Sequence, residues 1–152
     1  MALIRCSTSS GGGYGSLKDI IRDKVFNGGF STYYGFEPFS SRCTISEGRI
    51  SVDTDNKIAY LYADFTMATT ISSSDWAGFM NTTTQFPTTY TAESPGNSNL
   101  DYTPLMTDES SDTHKQMCFY RNYNSKSFLT TIKGTSYSSG EHYIVYGMWS
   151  YT

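Results

Sequence analysis

The chain has 152 residues, enough for one domain with one hydrophobic core. Charged residues make up only 16% of it and the formal net charge is -3, which excludes the basic surface that binds nucleic acid. No apolar run approaches the length that spans a bilayer, so we expect no membrane insertion. Aromatic residues reach 16%, and rings are therefore expected to form much of the core.

The cysteines indicate folding in a reducing compartment. Cys6, Cys43 and Cys118 are odd in number and far apart, so they cannot all pair within one chain. No spacing of Cys and His typical of a zinc site accompanies them. We expect buried reduced thiols. Since the first residues lack the apolar core and cleavage site of a signal peptide, folding inside the producing cell is expected.

The first predicted element is a short helix after a flexible segment. Residues 7–15 are Gly/Ser-rich and read as a linker or a surface loop. Residues 16–26 carry apolar side chains at helical spacing, with Ser16 and Asp19 as the cap and its partner and glycines 28–29 as the stop. Several β-branched residues in this stretch leave a strand as the alternative.

From residue 30 onward the pattern changes to short alternating runs divided by turn residues. The clearest is a hairpin whose arms, 48–53 and 58–67, flank an Asp/Asn turn at 54–57. Such spacing is typical of an antiparallel β-sandwich or barrel. The runs predicted as strands are 30–36, 42–46, 49–53, 57–67, 116–122, 128–133 and 141–151.

Two stretches interrupt this pattern. Residues 72–80, around Trp76, begin with capping residues and are expected to form a single helical turn at one end of the domain. Residues 81–115 are rich in Thr, Ser, Asn and Pro. A connection of that length is expected either to cover a strand of its own or to take part in binding.

Two motifs imitate ligand sites. Asp53, Asp55 and Asp64 have the spacing of a calcium loop, but its sixth position would be Ile58 instead of Gly. A plain Asp/Asn turn explains them better. Glycines at 11–15 before a helix imitate a phosphate loop, yet no Gly-Lys-Ser/Thr sequence follows. We therefore expect no metal and no cofactor.

Catalytic groups are not assembled by any recognisable signature. His114 and His142 are the only imidazoles, and neither accompanies a nucleophile motif. The carboxylates that could cleave a glycosidic bond cluster in one polar stretch, where solvent is expected to surround them. A catalytic acid instead needs burial, which raises its pKa. We expect no enzyme activity and no catalytic residue. The carboxylates considered are Asp101, Asp108, Glu109 and Asp112.

Aromatic residues give the one positive indication of binding. Several lie in loop-like contexts near Asn and Asp, as is common where proteins recognise sugars or other proteins. Core packing is the alternative for each of them, because the chain has so many rings. The residues are Trp76, Tyr90, Tyr102, Tyr123 and Trp149.

The order of features resembles the C-terminal head domains of bacteriophage tail-fibre and baseplate proteins. A strand starting at Gly48, the Asp/Asn turn and a long aromatic strand precede the element Phe86-Pro87-Thr88-Thr89-Tyr90, and a closing strand covers 140–151. The resemblance extends over about residues 48–152. It departs from the family where a Pro is common two residues after the Tyr, since Ala92 stands there.

The resemblance implies a fold and an organisation. Such heads are jelly-roll-like antiparallel β-sandwiches, here all-β with a short N-terminal helix. Residues 30–152 would form the head domain. Residues 1–29 would form a linker and helix that serve as a neck or docking segment.

The resemblance also implies a function. The protein would be a homotrimeric virion component, made in the bacterial host cytoplasm, that binds a host-surface saccharide or protein during adsorption, or binds another virion tail protein. The alternatives are a structural tail or capsid adaptor and a polysaccharide-degrading hydrolase. The residues that we expect to bind, all in polar stretches predicted as loops, are Asp101, Tyr102, His114, Tyr123 and Asn124.

Overall fold

The computed structural model describes residues 16–72, 78–91, 101–109, 115, 117–121, 128–131 and 135–152. Within these residues lie one α-helix and eight strands. No helix among them is long and apolar enough to cross a bilayer. The elements are α1 (Leu17–Asn27), β1 (Thr32–Pro38), β2 (Cys43–Asp53), β3 (Ile58–Met67), β4 (Gly78–Thr82), β5 (Asp101–Glu109), β6 (Met117–Arg121), β7 (Phe128–Thr131) and β8 (His142–Ser150).

The predicted helix and its caps are confirmed. Ser16 Oγ accepts a hydrogen bond from the Asp19 N–H at 3.3 Å, which satisfies one of the free donors at the helix start. The helix ends where the Gly28 N–H donates to the Lys24 carbonyl at 3.2 Å. Gly29 then takes a φ of +74°, a conformation that favours glycine and turns the chain toward β1.

The predicted hairpin is also confirmed, with its turn at residues 54–57. Its first arm is longer than expected, because β2 runs as one strand where two were predicted. A register shift between Ile45 and Glu47 marks a β-bulge at this point. The bulge takes up the residue that breaks the period-two pattern, and the strand continues through it.

All strand pairs are antiparallel and form one continuous ring. The order is β1-β2-β3-β8-β5-β6-β7-β4, and β4 pairs with β1 to close the sheet into a barrel. The all-β class with a short N-terminal helix is therefore confirmed. The jelly-roll-like sandwich is not confirmed, because β1 and β5 each pair in both sheets and so join them into one ring.

The barrel has two rims, which we name by the elements that they carry. The upper rim carries the start of β1, the 54–57 turn, the end of β8 and the start of β5. The lower rim carries the opposite ends of these strands. This assignment follows from the antiparallel pairing of the strands.

Rings fill the interior, as the composition predicted. Inward-facing side chains of neighbouring strands meet in one cluster, and many of the rings are completely buried. Phe65 and Phe79 stack with 5.2 Å between their centroids. Ring pairs of this kind add to the free energy gained from burial alone. The fully buried aromatic residues are Phe65, Phe79, Phe86, Phe119, Tyr137 and Tyr143.

The Phe86–Tyr90 element closes the barrel at the upper rim. Phe86 is 0% exposed, and its ring lies 4.9 Å from Tyr34 and 5.3 Å from Phe119. A 3-10 turn follows, and the Trp149 Nε1 donates to the Tyr90 carbonyl at 2.7 Å. This sequence element therefore packs into the interior as a plug.

Helix α1 crosses the outer face of the barrel. Ile21 and Val25 are each 1% exposed and pack against Tyr60 and Tyr62 of β3. Burying two such aliphatic side chains contributes roughly 3–6 kcal/mol before entropy costs. The helix thus contacts the sheet directly, while the proposed division between residues 1–29 and 30–152 stays a prediction.

Ion pairs connect both flanks of α1 to the strands below it. Lys18 Nζ lies 2.5 Å from Asp108 of β5, and Arg22 binds Glu47 of β2 through two hydrogen bonds of 2.5 and 2.8 Å. The pKa of Lys18 is raised chiefly by its hydrogen bond to Asp108, and that of Arg22 by its hydrogen bond to Glu47. Because these ion pairs are partly exposed, each adds little to the stability of the fold. Their main effect is to fix the direction of α1 across the barrel.

The two stretches that interrupt the alternating sequence pattern, 72–80 and 81–115, have different outcomes in the structure. Residues 78–80, predicted as part of a helical turn, belong to β4, so that part of the prediction is wrong. Met80 pairs with Pro38 of β1 and Leu129 of β7, and this pairing on both sides overrides local helix signals. Residues 73–77 lie outside the described residues. The span 81–115 does cover a strand of its own, β5.

Two of the three cysteines are buried thiols, as expected. Cys43 Sγ donates to the Phe79 carbonyl at 3.1 Å, and Cys118 is 3% exposed. Burial raises the pKa of Cys43 to about 11 and that of Cys118 to about 12. Both are therefore protonated at neutral pH and poor nucleophiles. Cys6 lies outside the described residues.

Candidate functional site

A groove of about 340 Å³ opens at the upper rim, between the α1–β1 connection and the β2–β3 turn. Its walls come from two short segments that are far apart in sequence. Both segments are largely exposed, so a ligand can reach them from solvent. The lining residues are Gly28, Gly29, Phe30, Ser31, Val52, Asp53, Thr54, Asp55 and Asn56.

Strand register brings the two walls together. Thr32 pairs with Val52, so the residue before β1 and the residue after Val52 face each other across the rim. Those residues are Ser31 and Asp53. The helix end and its left-handed glycine set the angle of one wall, and the hairpin turn forms the other.

One wall carries an aromatic ring held in a fixed place. Phe30 stacks on Tyr60 with 5.8 Å between centroids and 9° between the ring planes. On the helix side the ring lies against Gly28, where an added Cβ would come within 2.5 Å of Phe30 Cε2 and 2.4 Å of the Lys24 carbonyl oxygen. Glycine at position 28 therefore leaves the space that the ring occupies.

The other wall is polar, and its two carboxylates differ. Asp53 Oδ1 accepts hydrogen bonds from the backbone N–H groups of Asp55 and Asn56, and its Oδ2 accepts from Asn56 Nδ2 at 2.8 Å. The Asn56 side chain, then these N–H groups, lower the pKa of Asp53. The Asp53 carboxylate is thus occupied by hydrogen bonds within the turn. The Asp55 carboxylate is exposed and makes no hydrogen bond to another described residue.

The groove offers the chemistry of a binding site. An aromatic ring supplies a small apolar area, while hydroxyl, amide and carboxylate groups beside it make most of the lining polar. Serine and threonine hydroxyls can donate and accept, whereas a carboxylate only accepts. This combination suits a ligand that has both an apolar face and hydroxyl groups.

The predicted calcium-like spacing does not bring its carboxylates together. Asp53 lies in the turn, whereas Asp64 lies on the outer face of β3, where its Oδ1 is 2.8 Å from His142 Nε2. Among the described residues no three His, Cys, Asp or Glu side chains come together to hold a metal ion. The spacing of the three Asp residues therefore reflects the hairpin. His142 is the first residue of β8, as expected.

The structure describes only two of the five residues that were predicted to bind a ligand. Asp101 and Tyr102 were expected in a loop, and this is wrong, because they begin β5 and pair with Arg121 and Tyr120 of β6. Pairing with β6 accounts for the difference, since it orders a Thr- and Pro-containing stretch that looks irregular alone. They lie at the same rim as the groove, on the second strand beyond β3 in the ring. His114, Tyr123 and Asn124 lie outside the described residues.

The other residues considered from sequence have structural partners where they are described. Trp149 is 7% exposed and packs in the core, so packing explains it. Tyr90 is half-buried, with its ring 5.1 Å from that of Tyr151. The carboxylates Asp108 and Glu109 lie in β5 and not in a loop. Trp76, Tyr123 and Asp112 lie outside the described residues.

A second polar cluster closes the lower rim. Lys115 Nζ donates to both Glu141 oxygens, at 2.8 and 2.7 Å, and to Tyr143 Oη at 3.2 Å, while the Tyr143 hydroxyl and the Ser138 N–H donate to Glu141. Burial alone would raise the pKa of Glu141, but the hydrogen bonds from Lys115, Tyr143 and Ser138 outweigh it and lower that pKa. The groups of this cluster form hydrogen bonds with one another, and these bonds hold Lys115 against the barrel.

The groove residues were not predicted from sequence as a site. The 54–57 stretch was recognised only as a turn and glycines 28–29 only as a helix stop. The signal that joins them is the β1–β2 register, which no local pattern specifies. Comparison with known proteins adds no relative: no family model matches the chain, and no curated protein or solved structure is significantly similar to it.

Proposed function

We propose that this protein is a non-catalytic binding module of a bacteriophage tail, and that its upper-rim groove binds a host-surface saccharide. The observation that carries the proposal is the fixed ring of Phe30 beside exposed hydroxyl, amide and carboxylate groups. A sugar presents an apolar face of C–H groups and a rim of hydroxyls, which match these two walls.

The assignment to a phage tail is supported by the resemblance described above. Such a protein acts in the virion and is made in the host cytoplasm. A homotrimer would carry three grooves, and several weak sites on one particle raise the apparent affinity without any new contact, provided that they reach the host surface together. The expected absence of enzyme activity is part of the same proposal.

The proposal is tested with a variant that removes the ring. Phe30→Ala is expected to weaken binding to an immobilised panel of bacterial surface polysaccharides by about tenfold, because stacking on the ring is lost. Met106→Ala is the control, since Met106 is 39% exposed on the outer face of β5 and does not line the groove. Biolayer interferometry measures both, with thermal unfolding as a check on the fold.

The outcomes separate the proposal from its rivals. Equal loss in both variants, or no binding by the wild-type protein to any polysaccharide of the panel, would contradict saccharide binding at the groove. Release of oligosaccharides from the panel would instead indicate a hydrolase.

A second candidate is an adaptor role in the tail. Met106 and Met148 lie on the outer face of β5 and β8 and are 39% and 47% exposed, next to half-buried Tyr146. Exposed methionines beside a ring favour contact with another protein. In that role Phe30→Ala would leave binding to other virion proteins unchanged.

A further inference from the structure

The charge of the groove limits which saccharides it can hold. We propose that the groove prefers saccharides that carry a protonated amino group, binds neutral ones more weakly, and binds uronates and other anionic sugars most weakly. This inference rests on the proposed function, since it names the ligand class of the same site.

The groove is acidic on the side that faces its ring. Two carboxylates, Asp53 and Asp55, belong to its lining, and no lysine or arginine does. The nearest described cations on the elements around it are engaged elsewhere or lie outside the lining. Lys57 Nζ lies 5.7 Å over the ring of Tyr151, and Arg49 binds the last carbonyls of α1.

Lys24 is the remaining described cation on the two elements that flank the groove. It lies in the last turn of α1 and favours the ionised form of Asp53, but it does not line the groove. Within the described lining, an anionic ligand would therefore meet two carboxylates and no cation. Like charges at such distances oppose binding, and they do so most where water is partly excluded.

The two carboxylates have different roles in this selection. Asp53 is held by three hydrogen bonds from the turn, so it contributes charge but has little capacity left to accept from a ligand. Asp55 is exposed beside it, with its carboxylate available to accept from an ammonium group. A charge-assisted hydrogen bond to Asp55 is the contact that would distinguish an amino sugar from its neutral analogue.

The expected preference is modest because the groove is open to solvent. An exposed ion pair changes affinity by about two- to fivefold, and salt weakens it. A tetrasaccharide of glucosamine should bind about two- to fivefold more tightly than one of N-acetylglucosamine. A tetrasaccharide of galacturonate should bind more weakly than both.

The experiment is isothermal titration calorimetry of the full chain with these three tetrasaccharides, at about pH 6, where carboxylates are ionised and amines protonated. Asp55→Asn is the test variant, and asparagine is favoured in turns, so the hairpin is retained. Asp19→Asn is the matched control. It removes one acidic charge at the far end of α1, about 14 Å of helix from Gly28, and keeps an acceptor for Ser16.

Asp55→Asn should abolish the preference for glucosamine over N-acetylglucosamine and keep the affinity for the neutral sugar, while Asp19→Asn should change neither. Equal affinity of the wild type for all three sugars, or preference for galacturonate, would overturn the charge selection and leave saccharide binding standing. An unchanged preference in Asp55→Asn would overturn the role of Asp55. Binding of none of the three would count against the proposed function and this inference together.

Discussion

Phe86→Ala is expected to lower the free energy of unfolding by about 3–5 kcal/mol, because it empties the plug of the upper rim. The ring is 0% exposed and contacts four other rings, those of Tyr34, Tyr90, Phe119 and Trp149. These belong to separate strands and to the plug itself, so the site cannot collapse onto the gap. For a chain of this size the melting temperature should fall by about 10 °C in calorimetry.

Met148→Ala is the control for that change. It also removes a large apolar side chain, but Met148 is 47% exposed, so its loss should cost less than about 1 kcal/mol. Similar losses of stability in the two variants would show that the Phe86–Tyr90 element does not plug the barrel.

Arg49→Met is expected to release the C-terminal end of α1 from the barrel and to reduce stability by about 2–4 kcal/mol. The Arg49 guanidinium donates to the Val25 carbonyl at 3.0 and 2.6 Å and to that of Phe26 at 3.3 Å. It also lies 4.7 Å from the ring centroid of Tyr33. A cation there complements the negative end of the helix dipole and carbonyls that lack a partner within the helix, and Ser51 Oγ also donates to the Val25 carbonyl at 2.7 Å.

Hydrogen exchange measures this directly. Amides of Ile21 and Val25 should exchange faster in Arg49→Met, and saccharide binding should weaken, because the helix end positions one wall of the groove. Arg49→Lys is the control, which keeps the charge but cannot form the fork, so an intermediate result is expected. Unchanged exchange in Arg49→Met would contradict the role of Arg49 as the anchor of α1.

Sequence patterns predicted the elements whose signals lie within a few neighbouring residues. The Ser16 cap, the Asp53 turn and the alternation of β3 each depend on neighbours within a few residues, and all three were predicted. The position of β5 within residues 81–115 was not predicted, because a Thr- and Pro-containing run becomes a strand only when β6 and β8 pair with it. Long-range pairing of that kind overrides intrinsic preference.

The candidate site was missed for the same reason. Phe30 and Asp55 are 25 positions apart, and nothing near either one indicates the other. Their approach depends on the β1–β2 register and on the angle at which α1 ends. Trp149 follows the core-packing alternative given for the aromatic residues, since it is buried in the barrel.

The central claim is that saccharides bind at the groove, and chemical-shift mapping tests it most directly. In two-dimensional ¹⁵N–¹H spectra, titration with a glucosamine tetrasaccharide should move the amide signals of residues 28–31 and 53–56 and leave those on the outer face of β5 and β8 in place. Shifts concentrated around Met106 and Met148, with the groove signals unchanged, would contradict it.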